Sequence, residues 1–162
     1  MRRAQAALEF LTTYGWAFLV ILVMIGALAY FGVLNPSNLL PPRCTFSPEI
    51  SCLEQKISST TNSLQFRFRN DLGQLATFDF NATEVSSGIG ANACYILPDN
   101  GTSTAFPCDI GAGRVAAVNC TFPAAVKFSS GVKMKFEVDA IYKKSGGVYN
   151  NPLQGEVYGS VQ

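Results

Sequence analysis

The 162-residue chain contains no histidine, so it lacks both the commonest general base and the commonest metal ligand. Its 11 acidic residues are spread singly, and those in period-two stretches alternate outward, as solvated faces do. A nucleophile and base cannot be assembled from such a set. Gly88 and Gly90, and again Gly111 and Gly113, form G-x-G without the following G-x-x-G and without a helix. Both read as turns and not as phosphate cradles. These residues predict no enzyme, no metal and no cofactor.

The five cysteines, Cys44, Cys52, Cys94, Cys108 and Cys120, form no Cys-x-x-Cys pair. Their placement points to disulfides in an oxidising compartment and away from zinc. Cys44 and Cys52 are spaced to staple a connector to the first strand of a domain. Among the other three only one more disulfide fits, Cys94–Cys120 or Cys94–Cys108, leaving one thiol buried or available to a second subunit. Three N-x-S/T sequons stand at Asn81, Asn100 and Asn119. Asn100, in the loop D-N-G-T, is the best placed for N-glycosylation, and Asn119, beside a cysteine in a strand, the worst. The net charge of +1 is interspersed, with no basic face to neutralise a run of phosphates, so nucleic acid is not an expected partner.

The strongest compositional signal lies upstream of all of these residues. Residues 10–34 carry no charged side chain, and as a helix this run is ~37 Å long, more than a ~30 Å hydrocarbon core requires. In lipid a single segment must satisfy its own backbone, which makes it a helix. Tyr14 and Trp16 near one end, and Tyr30 and Phe31 near the other, match the aromatic belts of a spanning helix. Arg2 and Arg3 hold that end in the cytoplasm and place the rest outside. A secretory signal has a shorter apolar core, ~7–15 residues, followed by a cleavage site. A plain anchor would have no use for Glu9, the one charge between Gln5 and Leu34.

The string R-R-A-Q-A-A-L-E-F, directly before the apolar run, resembles the class III (prepilin-type) signal peptide of archaeal type IV pilin-like proteins. The resemblance covers about ten residues. It implies cleavage between Ala4 and Gln5 by a prepilin peptidase, and it makes Glu9 the acidic position used in assembly. It also implies a pilus assembly ATPase, a membrane platform protein, and a helical homopolymer of the chain itself at the cell surface, inserted in the membrane before assembly. Processing removes Arg2 and Arg3, leaving 10 basic residues against 11 acidic ones. Independently of the family, a carboxylate at the start of an apolar helix lies in the positive field of its N-terminus, one turn beyond Gln5. Burial there demands a partner, for which the freed amine is available, whereas a position at headgroup level costs little. Gly15, Ala17, Gly26, Ala27, Ala29 and Gly32 permit close helix approach, although they are also ordinary transmembrane composition.

These features divide the chain into a removed signal (1–4), a hydrophobic helix (5–34), a Pro-rich connector (35–43) and an extracellular domain (44–162). In the last, Leu64, Phe66 and Phe68 alternate with polar residues, and Asn70, Asp71 and Gly73 supply turn chemistry before Gln74–Phe80; the pair reads as a hairpin. Val132–Ala140 is the clearest half-buried strand. Shorter strands are expected around Ala93–Leu97, Gly113–Phe122, Ala124–Phe128 and Gly155–Val161. The whole predicts an α+β chain, a long helix followed by a small antiparallel, immunoglobulin-like β-sandwich. Two functions fit: a pilin building block serving adhesion, or an anchored surface protein or minor pilin with a ligand-binding β-domain. A head this small, with no second lobe, favours the building block. Twitching, DNA uptake and swimming are not distinguished from adhesion by any residue of the head.

Overall fold

The structure is a computed structural model that describes residues 2–31, 40–97 and 104–162. The chain separates into two compact units, Met1–Leu40 and Pro41–Gln162. In the first, helix α1 runs over Arg2–Tyr30, a sequence rich in Ala, Leu and Met without an interior proline, as helix propensity favours. It starts before the expected boundary at residue 5, so the backbone is helical on both sides of the Ala4–Gln5 bond. Residues 32–34 of the expected helix and 35–39 of the expected connector lie outside the described residues.

The second unit holds eleven strands: β1 (Arg43–Phe46), β2 (Ile50–Ser58), β3 (Ser63–Asn70), β4 (Ala76–Glu84), β5 (Ile89–Gly90), β6 (Ala93–Leu97), β7 (Thr104–Ala105), β8 (Cys108–Ile110), β9 (Val115–Thr121), β10 (Lys133–Lys144) and β11 (Asn151–Ser160). One sheet has the order β1-β11-β10-β4-β5, with β8 also on β4; the other has the order β2-β3-β9-β6-β7. All of these pairings are antiparallel. The expected two-sheet sandwich is therefore present. Strand β10 is its longest member and carries the alternation furthest, burying Met134, Phe136, Val138, Ala140 and Tyr142 in turn.

The expected hairpin of residues 64–80 is not one. Strands β3 and β4 belong to different sheets, and the chain crosses between them at Asn70–Leu75. Period-two alternation shows which side chains point inward but not which partner they face. Here the inward phenylalanines meet across the sandwich, with ring centroids 5.6 Å apart for Phe66–Phe80, 5.4 Å for Phe68–Phe78 and 4.9 Å for Phe68–Phe80. The crossing is held by Asn70, which is fully buried. Its Nδ2 donates to the carbonyls of Gln74 (2.9 Å), Ile110 (2.8 Å) and Gly111 (3.2 Å), while Oδ1 accepts from the Leu72 N–H at 3.0 Å. One side chain thus satisfies backbone groups on two loops that the strand ladders cannot reach.

Two further differences follow from local chemistry. Ala124–Phe128 is a turn and not a strand; its apolar residues Val126 and Phe128 are buried as plugs, Phe128 lying 5.7 Å from Phe122 and 5.8 Å from Phe136. Strand β2 escapes the period-two pattern because a bulge between Cys52 and Glu54 turns Leu53 outward and breaks the alternation. At the pairing of β1 with β11, Phe46 lies opposite Gly155, and a Cβ on Gly155 would stand 2.0 Å from the Phe46 ring. Only glycine fits there.

Replacing Asn70 by alanine strands a buried N–H and several carbonyls. The expected loss is about 3 kcal/mol, seen as a lower urea midpoint with an unchanged slope. A midpoint equal to that of the parent protein would show that water substitutes fully for the amide.

Candidate functional site

The sequence offers two candidate surfaces, the N-terminal helix and the head with its cysteines and sequons. On α1, Glu9 is exposed, and the Thr12 hydroxyl one turn on donates back to the carbonyls of Leu8 (3.0 Å) and Glu9 (3.1 Å). Beyond Glu9 the 19-residue segment Thr12–Tyr30 has a mean hydropathy of 1.9, long and apolar enough to cross a membrane, and none of its residues is buried. Fourteen large apolar side chains between Leu8 and Tyr30 are exposed, among them Trp16 (69%) and Phe18 (69%). They point in every direction around the axis. A helix apolar on all sides is stable only when surrounded by lipid or by protein. Phe10, Tyr14 and Phe18 edge a hollow of about 350 Å³ floored by Gly15, where the missing side chain leaves open space. The backbone therefore places Gln5 one turn before Glu9, as the spacing predicts.

In the head the cysteines resolve into Cys44–Cys52 and Cys94–Cys120, with Cys108 free and half-buried. Cys44–Cys52 joins β1 of one sheet to β2 of the other, so it clamps the two sheets instead of tying down a connector. Cys94 and Cys120 are directly opposite on β6 and β9, with a Cα separation of 4.0 Å, as closely spaced cross-strand pairs are. Between the two pairings left open by the sequence, the register selects this one.

The sequons differ sharply. Asn81 sits exposed on β4, with Oδ1 accepting from the Ala82 N–H at 2.9 Å. Asn119 lies within β9, flanked by Gln65 of β3 and Tyr95 of β6. Its Oδ1 is buried without a partner, and the hydroxyl of its Thr121 is engaged with the Tyr95 hydroxyl at 3.1 Å. Asn100 lies outside the described residues.

No group of His, Cys, Asp and Glu among the described residues is placed to hold a metal ion. Two carboxyls are shifted, and both have structural causes. Hydrogen bonds from Ser51 and then Arg69 (2.7 Å) hold Asp71 below the ordinary carboxylate range, against a smaller upward push from burial. Glu84 is 3% exposed. Burial pushes its carboxyl up, yet hydrogen bonds from Ser87 and Ser86, including backbone N–H groups at 2.7 and 2.9 Å, outweigh burial and the net direction is down.

Fold and surface together define a class: a single apolar helix at the N-terminus carrying an all-β, disulfide-clamped head. No family model matches the chain, and no curated protein matches it. Among solved structures it is similar to the archaeal flagellum of Methanospirillum hungatei strain JF1, at 17% identity over 98% of this chain and 93% of that one, with a TM-score of 0.39. It is also similar to the YadV chaperone (10% identity, 68% of this chain, TM-score 0.43), of which it spans half the length. A third similar structure is the CooA pilin subunit from enterotoxigenic Escherichia coli (11% identity, 71% of this chain and 99% of that one, TM-score 0.34).

The sequence missed Asn70 and the exposed end of the β10–β11 hairpin. Nothing marks Asn70 as different from any other turn asparagine until its four partners are in place.

Peptide mapping without reduction is expected to recover the 44–52 and 94–120 links and a single alkylatable thiol at Cys108. A 94–108 peptide would refute the β6–β9 register. Glu84 generates a pH test. Its lowered pKa in the folded state contributes stability that is present above the unfolded carboxyl's pKa and lost as the pH falls through the folded value. The stability gap between the parent protein and Glu84→Gln is therefore widest near neutrality and closes on acidification; a gap independent of pH would show that the carboxylate's charge plays no part.

Proposed function

We propose that the chain is the structural subunit of a type IV pilus-like surface filament. In this reading Ala4–Gln5 is cut, the apolar helix passes from the membrane into a helical bundle of copies, and the β-head faces the medium, where it serves adhesion. The observation that carries the proposal is the helix itself: it is apolar on every side and from Gln5 onward has one charged side chain, Glu9, near its start. Burial of an apolar side chain of this size is worth ~1.5–3 kcal/mol. Fourteen of them outweigh the ~5–15 kcal/mol that holds a whole domain folded, so the segment cannot remain in water.

A lipid anchor would satisfy that requirement equally well. The feature that favours assembly is Glu9, a carboxylate that costs free energy in hydrocarbon unless paired. In a bundle it has a partner, the amine exposed at Gln5 by cleavage. The R-R-A-Q-A-A-L-E-F string supports the same reading, with a prepilin peptidase, an assembly ATPase and a membrane platform as partners. The competing reading, an anchored surface protein or minor pilin whose head binds a ligand, retains the helix but gives Glu9 no work beyond resting at the interface.

Mass spectrometry of the protein from a cell surface is expected to find Gln5 as the N-terminus, and electron microscopy to find filaments containing this chain. Glu9→Ala should leave membrane insertion intact while reducing filament yield by at least about tenfold, as loss of a buried ion pair worth more than ~1.4 kcal/mol per subunit would. Filaments in undiminished yield from Glu9→Ala would sink the proposal, and so would retention of Met1.

A further inference from the structure

The least explained surface of the head is the loop of the β10–β11 hairpin, Ser145–Asn150. Val148 is 81% exposed and Tyr149 83%, and folding gains nothing from either. The loop reads S-G-G-V-Y-N and is followed by Asn151, a set of residues like that of binding loops in which tyrosine supplies rigid contact area and Ser, Gly and Asn supply adaptable hydrogen bonds. It lies at one end of β11. Towards its other end Arg43 pairs with Tyr158, where the chain enters the head, seven residues beyond Asn151 and ~24 Å along the strand.

Beside this loop is a hollow of about 240 Å³ lined by Thr77, Asp79, Pro107, Ile141, Lys143 and Asn150. The ladder fixes its floor, since Asp79 stands opposite Ile141 and Thr77 opposite Lys143 on the outer faces of β4 and β10. The Thr77 hydroxyl is hydrogen-bonded to the Asp109 carboxylate, which steadies that wall. Pro107 precedes β8 on one side, and Asn150 comes from the hairpin loop on the other.

We propose that this hollow binds a neutral pyranose of a surface glycan. The apolar Ile141 and Pro107 suit the C–H face of a sugar ring. Around them a carboxylate, an ammonium and a carboxamide offer both acceptors and donors to its hydroxyls. Asp79 and Lys143 offset one another, and the Asp109 carboxylate bonded to Thr77 leaves the surroundings slightly negative, which disfavours an acidic sugar. The volume is below the ~300–1,000 Å³ of sites for drug-sized ligands, which restricts it to about one ring. Single-ring affinity is weak, and repetition along a filament multiplies it. The inference rests on the reading of the head as the surface displayed to the medium, and it names the ligand class that such display would engage.

The test uses the full chain in a zwitterionic detergent without a sugar headgroup. Saturation-transfer NMR is run with methyl α-mannopyranoside, methyl β-galactopyranoside and N-acetylglucosamine. Saturation of ring protons is expected for at least one of the three. Asp79→Ala and Asn150→Ala, both at exposed positions, are each expected to weaken that binding about tenfold, the loss typical of one well-placed hydrogen bond, with the sheet circular dichroism unchanged. The proposal is overturned by silence from all three sugars or by binding that survives both substitutions. Capture of phosphatidylglycerol nanodiscs by the protein held in neutral nanodiscs, abolished by Tyr149→Ser, would also overturn it by assigning the loop to lipid. None of these outcomes bears on whether filaments form, which microscopy decides separately.

Discussion

Phe66 and Phe68 on one sheet meet Phe78 and Phe80 on the other, and the head depends on that contact. Each buried phenylalanine contributes ~1.5–3 kcal/mol by leaving water, and favourable ring pairs add ~0.5–1.5 kcal/mol. The contact requires β3 and β4 to lie in different sheets, and Asn70 holds the crossing between them. Its side chain caps backbone groups of both the 70–75 crossing and the Ile110–Gly111 loop, which lowers the cost of changing sheet. The Cys44–Cys52 bridge then joins β1 to β2 across the sheets along another side.

The helical unit has no such internal solution. No residue of it from Thr12 to Tyr30 is buried, so its stability is set by what surrounds it. Backbone hydrogen bonding is complete within a helix, and for that reason the segment tolerates lipid and a protein bundle alike. The head buries a core of its own; the helix requires lipid or protein around it.

Legibility in the sequence followed the same division. The helix, the sandwich and β10 were readable because each shows an unbroken signal: an uncharged run in the first case, and in the last a strict alternation over Val132–Ala140. Strand β2 was not readable, since one bulged residue at Leu53 shifts its faces. The 64–80 hairpin was misread because alternation reports a strand's inward side and is silent on its neighbour. Ala124–Phe128 failed for the opposite reason: Val126 and Phe128 are as buried as strand residues, but they plug the core from a turn. At the candidate sites, the cysteine pairing stayed open until register placed Cys94 opposite Cys120. The Thr77–Asp79–Ile141–Lys143 surface joins residues more than sixty positions apart that no local pattern connects.

On the proposed reading, the helix must leave one apolar medium for another, and the hydrophobic effect is nearly indifferent to that exchange because lipid tails are as apolar as leucine. Whatever drives assembly must then come from close packing and from polar pairing. The packing term is spread along the helix, at the Gly15 hollow and the small residues Gly26, Ala27 and Ala29. The polar term is concentrated at one position. Glu9 is the sole charge between Gln5 and Tyr30, and it is uncomfortable in hydrocarbon while it lacks a partner. A charge that is costly in the starting medium and paired in the final one turns a neutral exchange into a directed one. The same carboxylate that weakens the segment as a plain anchor is what makes it suited to assembly.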